Sequence, residues 1–131
     1  MPKVSFVIPA YNIESYIGRC LKSVQNQTFV DFEAIVVDDA STDATPEKIV
    51  EAVGDDSRFK VVTHPTNQGL HLARKTGAAH TTGEWVFCLD GDDEVTADFL
   101  EQVVAHIEKN PVDILHLGIT VIPENGVSEA E

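Results

Sequence analysis

Three aspartates with one glycine among them follow directly on a short apolar run, and this cluster carries the clearest chemistry in the sequence. The run covers residues 85–89, and the acids are Asp90, Asp92 and Asp93. Like charges a few ångströms apart repel and raise each other's pKa, so such a cluster is costly unless a cation joins it. Hard oxygen ligands suit Mg²⁺ or Mn²⁺, and the spacing therefore predicts a divalent-metal site. The alternative is a solvated acidic loop ahead of a helix that Thr96 caps.

The chain has the size and composition of one globular domain. It contains 131 residues, of which 43% are hydrophobic and 24% are charged. Its formal net charge of −13 argues against nucleic acid as a partner, because a face that binds phosphate backbones is basic. Cys20 and Cys88 stand in apolar patterns, and we expect buried, reduced thiols rather than a disulfide or metal pair. No apolar run reaches the length of a membrane span, so a cytoplasmic location is expected.

Strand-like and helix-like segments alternate along the chain, and this order predicts an α/β fold. Apolar runs typical of strands occupy 3–9, 32–37, 59–63, 85–89 and 113–122. Segments with helical patterns or helix-start signals occupy 14–27, 45–53, 70–81 and 96–109, and Thr45 is the expected cap of the second helix. Right-handed crossovers then build a mostly parallel sheet between helix layers, a Rossmann-like three-layer αβα sandwich. We expect one domain over 1–122 and an acidic tail over 123–131.

Polar residues that the strand and helix patterns leave unexplained all fall at the carboxyl ends of the strands. Besides the acid cluster, they are Tyr11, Asn12, Asp38, Asp39, Asn67 and Gly69. In open parallel sheets, ligands bind outside these ends, at the point where the strand order reverses. The sequence therefore predicts one shared site at this edge of the sheet.

The loop after the first strand has none of the common glycine-rich phosphate-binding motifs, and this limits how a nucleotide could bind. Neither a Gly-x-Gly-x-x-Gly turn nor a phosphate-binding P-loop follows that strand, so a bound nucleotide diphosphate would need a metal on carboxylates. Tyr11 could stack on a base, and Asp39 could accept a hydrogen bond from a ring N–H such as that of uracil or thymine. Arg74, on the helix after the third strand, is placed to reach a phosphate.

Five motifs, in order and at matching spacing, resemble the family 2 glycosyltransferases, which are inverting enzymes with the GT-A fold. They are SFVIPAYN at 5–12, VDDASTD at 37–43, NQG at 67–69 with Ala73-Arg74, GEW at 83–85 and LDGDD at 89–93. The resemblance implies a nucleotide-diphospho-sugar-transferase-like fold and transfer of a sugar, with inversion, from a nucleotide-sugar donor. A UDP-sugar is the favoured donor, and the acceptor would be a glycan or lipid-linked hydroxyl in cell-surface polysaccharide synthesis.

The resemblance also implies roles for individual residues. The donor would be bound by Pro9, Tyr11, Asn12, Asp38, Asp39, Asn67, Gly69, Arg74 and Asp90. Mn²⁺ or Mg²⁺ would be held by Asp92 and Asp93, and would stabilise the charge on the leaving nucleoside diphosphate. The family's catalytic base lies further along than residue 131, so we expect a nucleotide-binding half and assign no base here. Association with the inner face of a membrane would then involve regions beyond this chain.

Two other functions fit parts of the pattern. A non-catalytic nucleotide-sugar-binding module would keep the donor pocket without turnover. A phospho-accepting receiver domain would use Asp38 and Asp39 as a paired-acid Mg²⁺ site. That site requires the acid pair after the first strand, whereas here the pair follows the second strand. The histidines lie apart without metal-ligand spacing, and we expect surface or core positions for His64, His71, His80, His106 and His116.

Overall fold

The computed structural model describes residues 2–110, together with the backbone of two short strands at 119–121 and 128–130. Two compact units make up the chain, Met1–Glu101 and Gln102–Glu131. The first unit contains the predicted α/β core and all of the predicted site residues. Among the described residues, no helix combines the length and apolar character that crossing a membrane requires.

An all-parallel sheet of four strands forms the centre of the first unit. Its strands are β1 (Val4–Ala10), β2 (Phe32–Asp38), β3 (Phe59–Thr63) and β4 (Trp85–Cys88), in the spatial order β3-β2-β1-β4. The first three crossovers carry α1 (Ile17–Gln25), α2 (Thr45–Val53) and α3 (Leu70–Ala79), and α4 (Phe99–Lys109) follows β4. The α/β class and the parallel sheet are therefore as predicted.

The direction of the crossovers places helices on both faces of the sheet. The chain steps from β1 to β2 to β3 in one direction and then returns past β1 to β4. Because such crossovers are right-handed, α1 and α2 lie on one face and α3 lies on the other. α3 packs closely, since a Cβ at Gly77 would collide with the side chain of Val7 and come within 3.3 Å of Val37 Cγ2. This contact explains a glycine inside a helix, where it otherwise costs about 1 kcal/mol.

Burial separates the central strands from the edges. Every residue of β1 and β2 is buried, whereas β4 alternates between half-buried and exposed positions. An unbroken apolar run such as 85–89 predicts a strand buried on both faces, but this prediction is wrong for β4, because Val86 is 47% exposed. Cys20 is buried as expected, but Cys88 is exposed. β4 is an edge strand of the described sheet, and α3 packs mainly on the central strands β1 and β2.

Both predicted helix caps are wrong because tertiary or local partners take the hydroxyls. α2 already includes Thr45, and the Thr45 Oγ1 accepts the N–H of Ile13 at 2.9 Å. α4 begins at Phe99, and the Thr96 hydroxyl donates to Asp98 Oδ1 at 2.9 Å. The Thr45 hydroxyl therefore joins the start of α2 to the loop after β1, whereas the Thr96 hydroxyl bonds within its own loop, and neither accepts an N–H of its own helix in these contacts.

The second unit contains a small antiparallel sheet made of β5 (Ile119–Val121) and β6 (Ser128–Ala130). β5 lies inside the predicted strand at 113–122, but its described partner is β6 and not a strand of the main sheet. The rest of that predicted strand, and most of the predicted tail at 123–131, lie outside the described residues. The domain boundary at residue 122 stays a prediction.

Candidate functional site

A cavity of about 320 Å³ opens at the carboxyl ends of the strands. It lies where the strand order reverses, since β1 has β2 on one side and β4 on the other. Predicted residues from all four strand ends line it, namely Pro9, Tyr11, Asp39, Asn67, Gly69, Asp90 and Asp92. The structure thus brings together residues that are as much as 83 positions apart, from Pro9 to Asp92.

The buried Asp39 carboxylate is the most heavily hydrogen-bonded group of the site. Its Oδ1 accepts from His64 Nδ1 and from the N–H of Gln68, each at 2.8 Å. Its Oδ2 accepts from Asn67 Nδ2 at 3.0 Å and from the N–H of Gly69 at 2.8 Å. Burial alone would raise the pKa of Asp39, but the hydrogen bonds from His64, Gln68 and Gly69 lower it below the usual range.

These contacts change how Asp39 can meet a ligand. An ionised carboxylate offers about four lone-pair positions, and the protein's own donors fill that number. To reach Asp39, a nucleobase N–H would therefore have to displace or share one of these donors. The same saturation argues against a receiver-type Mg²⁺ site on Asp38 and Asp39, which needs carboxylate oxygens open to the ion.

The loop between β3 and α3 takes its shape from Asp39. Gly69 has a φ of +96°, a conformation that residues with a side chain rarely adopt, and it precedes the first turn of α3. Its N–H and that of Gln68 both point to the carboxylate. The Asn67-Gln68-Gly69 segment therefore forms a backbone nest around one anion, and this nest forms one wall of the cavity.

Asn12 joins the loop after β1 to the loop after β2, and Asp38 stabilises the second of these loops through a local hydrogen bond. The Asn12 Oδ1 accepts the N–H of Thr42 at 2.8 Å, and the N–H of Asn12 donates to Ser41 Oγ at 3.0 Å. Asp38 is buried, and its Oδ1 accepts the N–H of Ser41 at 3.2 Å. Neither residue is among those that line the cavity. The structure shows loop anchoring for both, and contact with a nucleotide stays a prediction.

Two large apolar side chains of the cavity remain open to solvent. Tyr11 is 45% exposed and Leu70 is 51% exposed. Exposed apolar surface beside hydrogen-bonding groups is typical of a pocket that takes a flat, partly polar ligand. Tyr11 was expected here from the sequence. Leu70 was not, although its position directly after Gly69 places it on the same rim.

The acid cluster sits where β4 leaves the sheet. The N–H of Leu89 donates to the Val7 carbonyl at 2.9 Å, and the N–H of Gly91 donates to the Pro9 carbonyl at 3.0 Å. A Cβ at Gly91 would lie 2.8 Å from the same Pro9 oxygen. A glycine is therefore required for the acid-bearing loop to continue alongside β1, and the carboxylates on either side of it reach the cavity.

The carboxylates of this cluster lie close enough to share one cation. Asp90, Asp92 and Asp93 each offer an oxygen, and these atoms all lie within 4.8 Å of one another. Oxygen ligands of one Mg²⁺ or Mn²⁺ lie about 2.1 Å from the ion and thus within about 4.2 Å of each other. Small side-chain rotations would close the difference, so the donor set fits a hard divalent ion. Burial raises the pKa of Asp93, and the charges of Asp92 and Asp90 raise it further.

Arg74 is the cation paired with this cluster. Its Nη2 lies 2.9 Å from Asp90 Oδ1, and both side chains are partly exposed. The Nε of Arg74 is buried and has no hydrogen-bond partner within the described part of the chain. Arg74 therefore offsets part of the negative charge of the cluster, and its predicted contact with a donor phosphate is not tested.

His64 and Thr76 are the site residues that sequence reasoning missed. The buried His64 ring contacts Asp39 through Nδ1 and the Thr76 hydroxyl through Nε2, each at 2.8 Å. His64 is thus a core histidine, as the sequence allowed, whereas His71, His80 and His106 are exposed and His116 lies outside the described residues. The available signal was position, since His64 directly follows β3 on the rim that carries the other site residues.

Comparison with known proteins agrees with this geometry. Residues 5–130 match the family described as Glycosyl transferase family 2. The chain is 35% identical over 118 residues to the uncharacterized glycosyltransferase EpsJ of Bacillus subtilis (strain 168), covering 90% of this chain and 34% of that protein. It is 33% identical over 124 residues to the Escherichia coli UDP-Glc:alpha-D-GlcNAc-diphosphoundecaprenol beta-1,3-glucosyltransferase WfgD, covering 95% of this chain and 48% of that protein.

Solved structures give the same picture. The crystal structure of S. aureus TarS 1-349 in complex with UDP-GlcNAc superposes with a TM-score of 0.76 at 30% identity, covering 95% of this chain and 41% of that one. The mannosyltransferase PcManGT from Pyrobaculum calidifontis, in complex with GDP-Man and Mn²⁺, superposes with a TM-score of 0.76 at 28% identity, covering 85% and 34%. The chain spans 30% to 46% of the lengths of the first three curated relatives it matches.

Proposed function

The chain belongs to glycosyl transferase family 2 and has the GT-A fold expected of it, and we propose that it forms the donor-binding part of a metal-assisted, inverting glycosyltransferase. The donor is a nucleotide-diphosphate-sugar, with a UDP-sugar favoured. The observation that carries this proposal is one cavity lined by Tyr11 and Asp39 at the loops after β1 and β2 and by Asp90 and Asp92 of the acid cluster after β4.

The two parts of the cavity suit the two ends of such a donor. Tyr11 and Leu70 supply apolar surface for the base, beside the nest that surrounds Asp39. Asp92 and Asp93 would hold Mn²⁺ or Mg²⁺, and Asp90, which also lines the cavity, is assigned to the sugar side of the nucleotide. When bound, the ion supplies positive charge that stabilises the diphosphate leaving group.

Arg74 adds a second positive charge near the same phosphates. It is tied to Asp90 in the structure, and its planar guanidinium has donors left over for a phosphate oxygen. On donor binding, Arg74 would exchange the Asp90 carboxylate for a donor phosphate, so its guanidinium has an anionic partner in both states. This role accounts for an arginine on α3 that pairs with Asp90, in the same acidic loop that carries the proposed metal ligands.

Relatives support the nucleotide, metal and acceptor that we assign. One solved neighbour holds UDP-GlcNAc, and another holds GDP-Man with Mn²⁺. WfgD is named for transfer from UDP-Glc to a diphosphoundecaprenol-linked sugar. We assign to this chain donor binding for a similar transfer to a glycan or lipid-linked hydroxyl. The acceptor site and the general base are assigned to the additional length that the curated relatives have.

A cytoplasmic location, at the inner face of the membrane where the acceptor is lipid-linked, completes the proposal. The free thiols of Cys20 and Cys88 suit a reducing compartment. Nucleic acid is not a partner in this proposal, since the formal net charge is −13.

Calorimetric titration of UDP, with and without Mn²⁺, tests the donor site. We compare the unchanged chain with the double variant Asp92→Ala/Asp93→Ala. The double variant Glu47→Ala/Glu51→Ala is the matched control, because it removes the same charge from the exposed face of α2. We expect Mn²⁺-dependent binding by the unchanged chain and the control, and loss of that binding in the double aspartate variant.

Other nucleotides decide between the ways in which this proposal could fail. If the folded chain binds GDP or dTDP with Mn²⁺ but not UDP, the donor site stands and the base assignment is wrong. If none of these nucleotides binds in the presence of Mn²⁺ or Mg²⁺, the proposed donor site is overturned.

A further inference from the structure

We propose that His64 is a positioning residue that, supported by Thr76, holds the Asp39 carboxylate in the orientation that reads an N–H of the nucleobase. The inference rests on the proposed function, because it concerns the same donor site. His64 is buried and does not line the cavity, and the inference is that it nevertheless contributes to selection of the base.

A chain of hydrogen bonds links α3 to the Asp39 carboxylate through the His64 ring. His64 Nδ1 lies 2.8 Å from Asp39 Oδ1, and His64 Nε2 lies 2.8 Å from Thr76 Oγ1. The His64 and Asp39 side chains are 7% and 3% exposed, so water cannot readily replace either contact. Because both ring nitrogens have partners, the imidazole cannot turn without losing a buried hydrogen bond.

The Asp39 carboxylate determines which nitrogen of the His64 ring carries a proton. An ionised carboxylate accepts hydrogen bonds and cannot donate them, so His64 Nδ1 must carry a proton. In the neutral ring Nε2 is then an acceptor, and the Thr76 hydroxyl donates to it. The hydroxyl can donate or accept, so it suits this tautomer, and it holds the ring in position from the nitrogen opposite Asp39.

The four donors to Asp39 differ in how firmly they are held. The N–H groups of Gln68 and Gly69 are fixed by the backbone, and His64 is fixed by burial between Asp39 and Thr76. Asn67 is exposed and lines the cavity, and its amide donates to Asp39 Oδ2 at 3.0 Å and, at 3.3 Å, to the Asp39 carbonyl. Asn67 is therefore the donor that a nucleobase N–H replaces. When the Asn67 amide moves away, the hydrogen bond from His64 keeps the Asp39 carboxylate in its orientation.

An ionised carboxylate held in this way selects among bases by chemistry. Uracil carries an N–H at ring position 3, whereas cytosine has a lone pair there. The first donates to Asp39 Oδ2, and the second would face it acceptor to acceptor. A site built to pair with an N–H discriminates strongly against an analogue that lacks it, because its buried polar group is then left unpaired.

The ratio of UDP to CDP affinity measures this selection. We compare, with Mn²⁺ present, the unchanged chain with His64→Leu, which removes both ring contacts, and Thr76→Val, which removes the hydroxyl and keeps the shape. His64→Asn keeps a donor near the position of Nδ1, and Thr76→Ser keeps the hydroxyl. We expect the ratio to fall about tenfold in His64→Leu and several-fold in Thr76→Val, and to stay close to its original value in His64→Asn and Thr76→Ser.

Each outcome decides the matter. If UDP and CDP affinities fall together, or the ratio stays unchanged in His64→Leu and Thr76→Val, His64 is a structural residue and the inference is overturned. If His64→Leu does not fold, as thermal unfolding will show, the comparison of Thr76→Val with Thr76→Ser decides. If the unchanged chain fails to bind UDP, the proposed donor is wrong, and the inference about its base falls with it.

Discussion

The Nη2 of Arg74 lies 2.9 Å from Oδ1 of Asp90, so a cation of the protein already occupies one side of the acid cluster. This pairing lowers the repulsion among carboxylates that the loop would otherwise bear without a metal. The positive charge of Arg74 also opposes binding of a metal ion by the neighbouring Asp92 and Asp93. The same side chain is therefore expected to weaken binding of metal alone and to strengthen binding of a phosphate-bearing ligand with metal.

Replacing Arg74 should move these two affinities in opposite directions. In Arg74→Ala we expect Mn²⁺ alone to bind about two- to fivefold more tightly, since a partly exposed ion pair is worth up to about 1 kcal/mol. UDP with Mn²⁺ should bind more weakly, because a phosphate contact is lost. Calorimetry measures both, and Lys75→Ala, which removes a neighbouring exposed charge, is the control. Equal changes in both affinities would show that Arg74 acts as general positive charge only.

Gly91 should be intolerant of any side chain. A Cβ there would come within 2.8 Å of the Pro9 carbonyl oxygen and 2.5 Å of Ile13 Cδ1. We expect Gly91→Ala to lower the free energy of unfolding by about 1–3 kcal/mol and to weaken Mn²⁺ binding, because the acid-bearing loop must move away from β1. Urea unfolding and calorimetry measure the two effects.

Gly18 offers the matched control for this change. It lies within α1, and a Cβ there would meet no atom within 4 Å. Gly18→Ala should raise the free energy of unfolding by about 0.5–1 kcal/mol through helix propensity, and leave Mn²⁺ binding unchanged. Tolerance of alanine at both positions would contradict the close approach of β4 to β1.

The rim of the site was predictable because it follows from topology. Once parallel strands are recognised, Tyr11, Asp39, Asn67 and Asp90 must come to the same edge, whatever the details of packing. The acid cluster was likewise visible from residue type and spacing alone. These predictions needed the order of the elements and not the positions of side chains.

What the sequence did not reveal depends on contacts between distant residues. The hydroxyl of Thr45 looked like a helix cap, but it bonds the N–H of Ile13 in a different loop. His64 looked like one of several scattered histidines until α3 brought Thr76 to its other nitrogen. The exposure of Val86 follows from the place of β4 at the edge of the described sheet, which strand periodicity does not give.

Ala40 is expected to carry strain that glycine would remove. It follows Asp39 with a φ of +61°, a left-handed conformation that costs a residue with a side chain about 1–2 kcal/mol. Ala40→Gly should raise the free energy of unfolding by about 0.5–1 kcal/mol, since part of the gain is offset by the greater freedom of glycine in the unfolded chain. Urea unfolding measures the change.

Ala44 provides the comparison for that prediction. Its φ is −86°, so the same substitution relieves no strain there. Ala44 is the N-cap of α2, where glycine is preferred over alanine, and this offsets the loss through the unfolded state, so Ala44→Gly should stabilise the chain less than Ala40→Gly does. A loss of stability in both variants would mean that residue 40 is not strained in the left-handed region.

Asp39 should link the stability of the site to pH. Burial would raise its pKa, but hydrogen bonds from His64, Gln68 and Gly69 lower it, so the folded-state pKa lies below the unfolded value of about 3.9. A group with a depressed pKa contributes stability that is fully present above its unfolded pKa and is lost as the pH falls through its folded pKa. At neutral pH we expect Asp39→Asn to lower the free energy of unfolding by about 2 kcal/mol, because an amide leaves buried donors unpaired.

The pH series distinguishes this charge effect from simple loss of packing. Urea unfolding of the unchanged chain and Asp39→Asn is compared at pH 7, pH 4 and pH 3. The difference between the two should be largest at pH 7 and shrink as the pH drops, because protonation removes the charge-assisted part of the contacts in the unchanged chain.

Asp43→Asn is the control: its carboxylate also has a lowered pKa through hydrogen bonds, but it accepts them at the exposed start of α2, outside the cavity. It should show a smaller difference and leave UDP binding intact. If the difference in the free energy of unfolding between the unchanged chain and Asp39→Asn stays constant across the pH series, the charge of Asp39 does not stabilise the Asn67-Gln68-Gly69 segment.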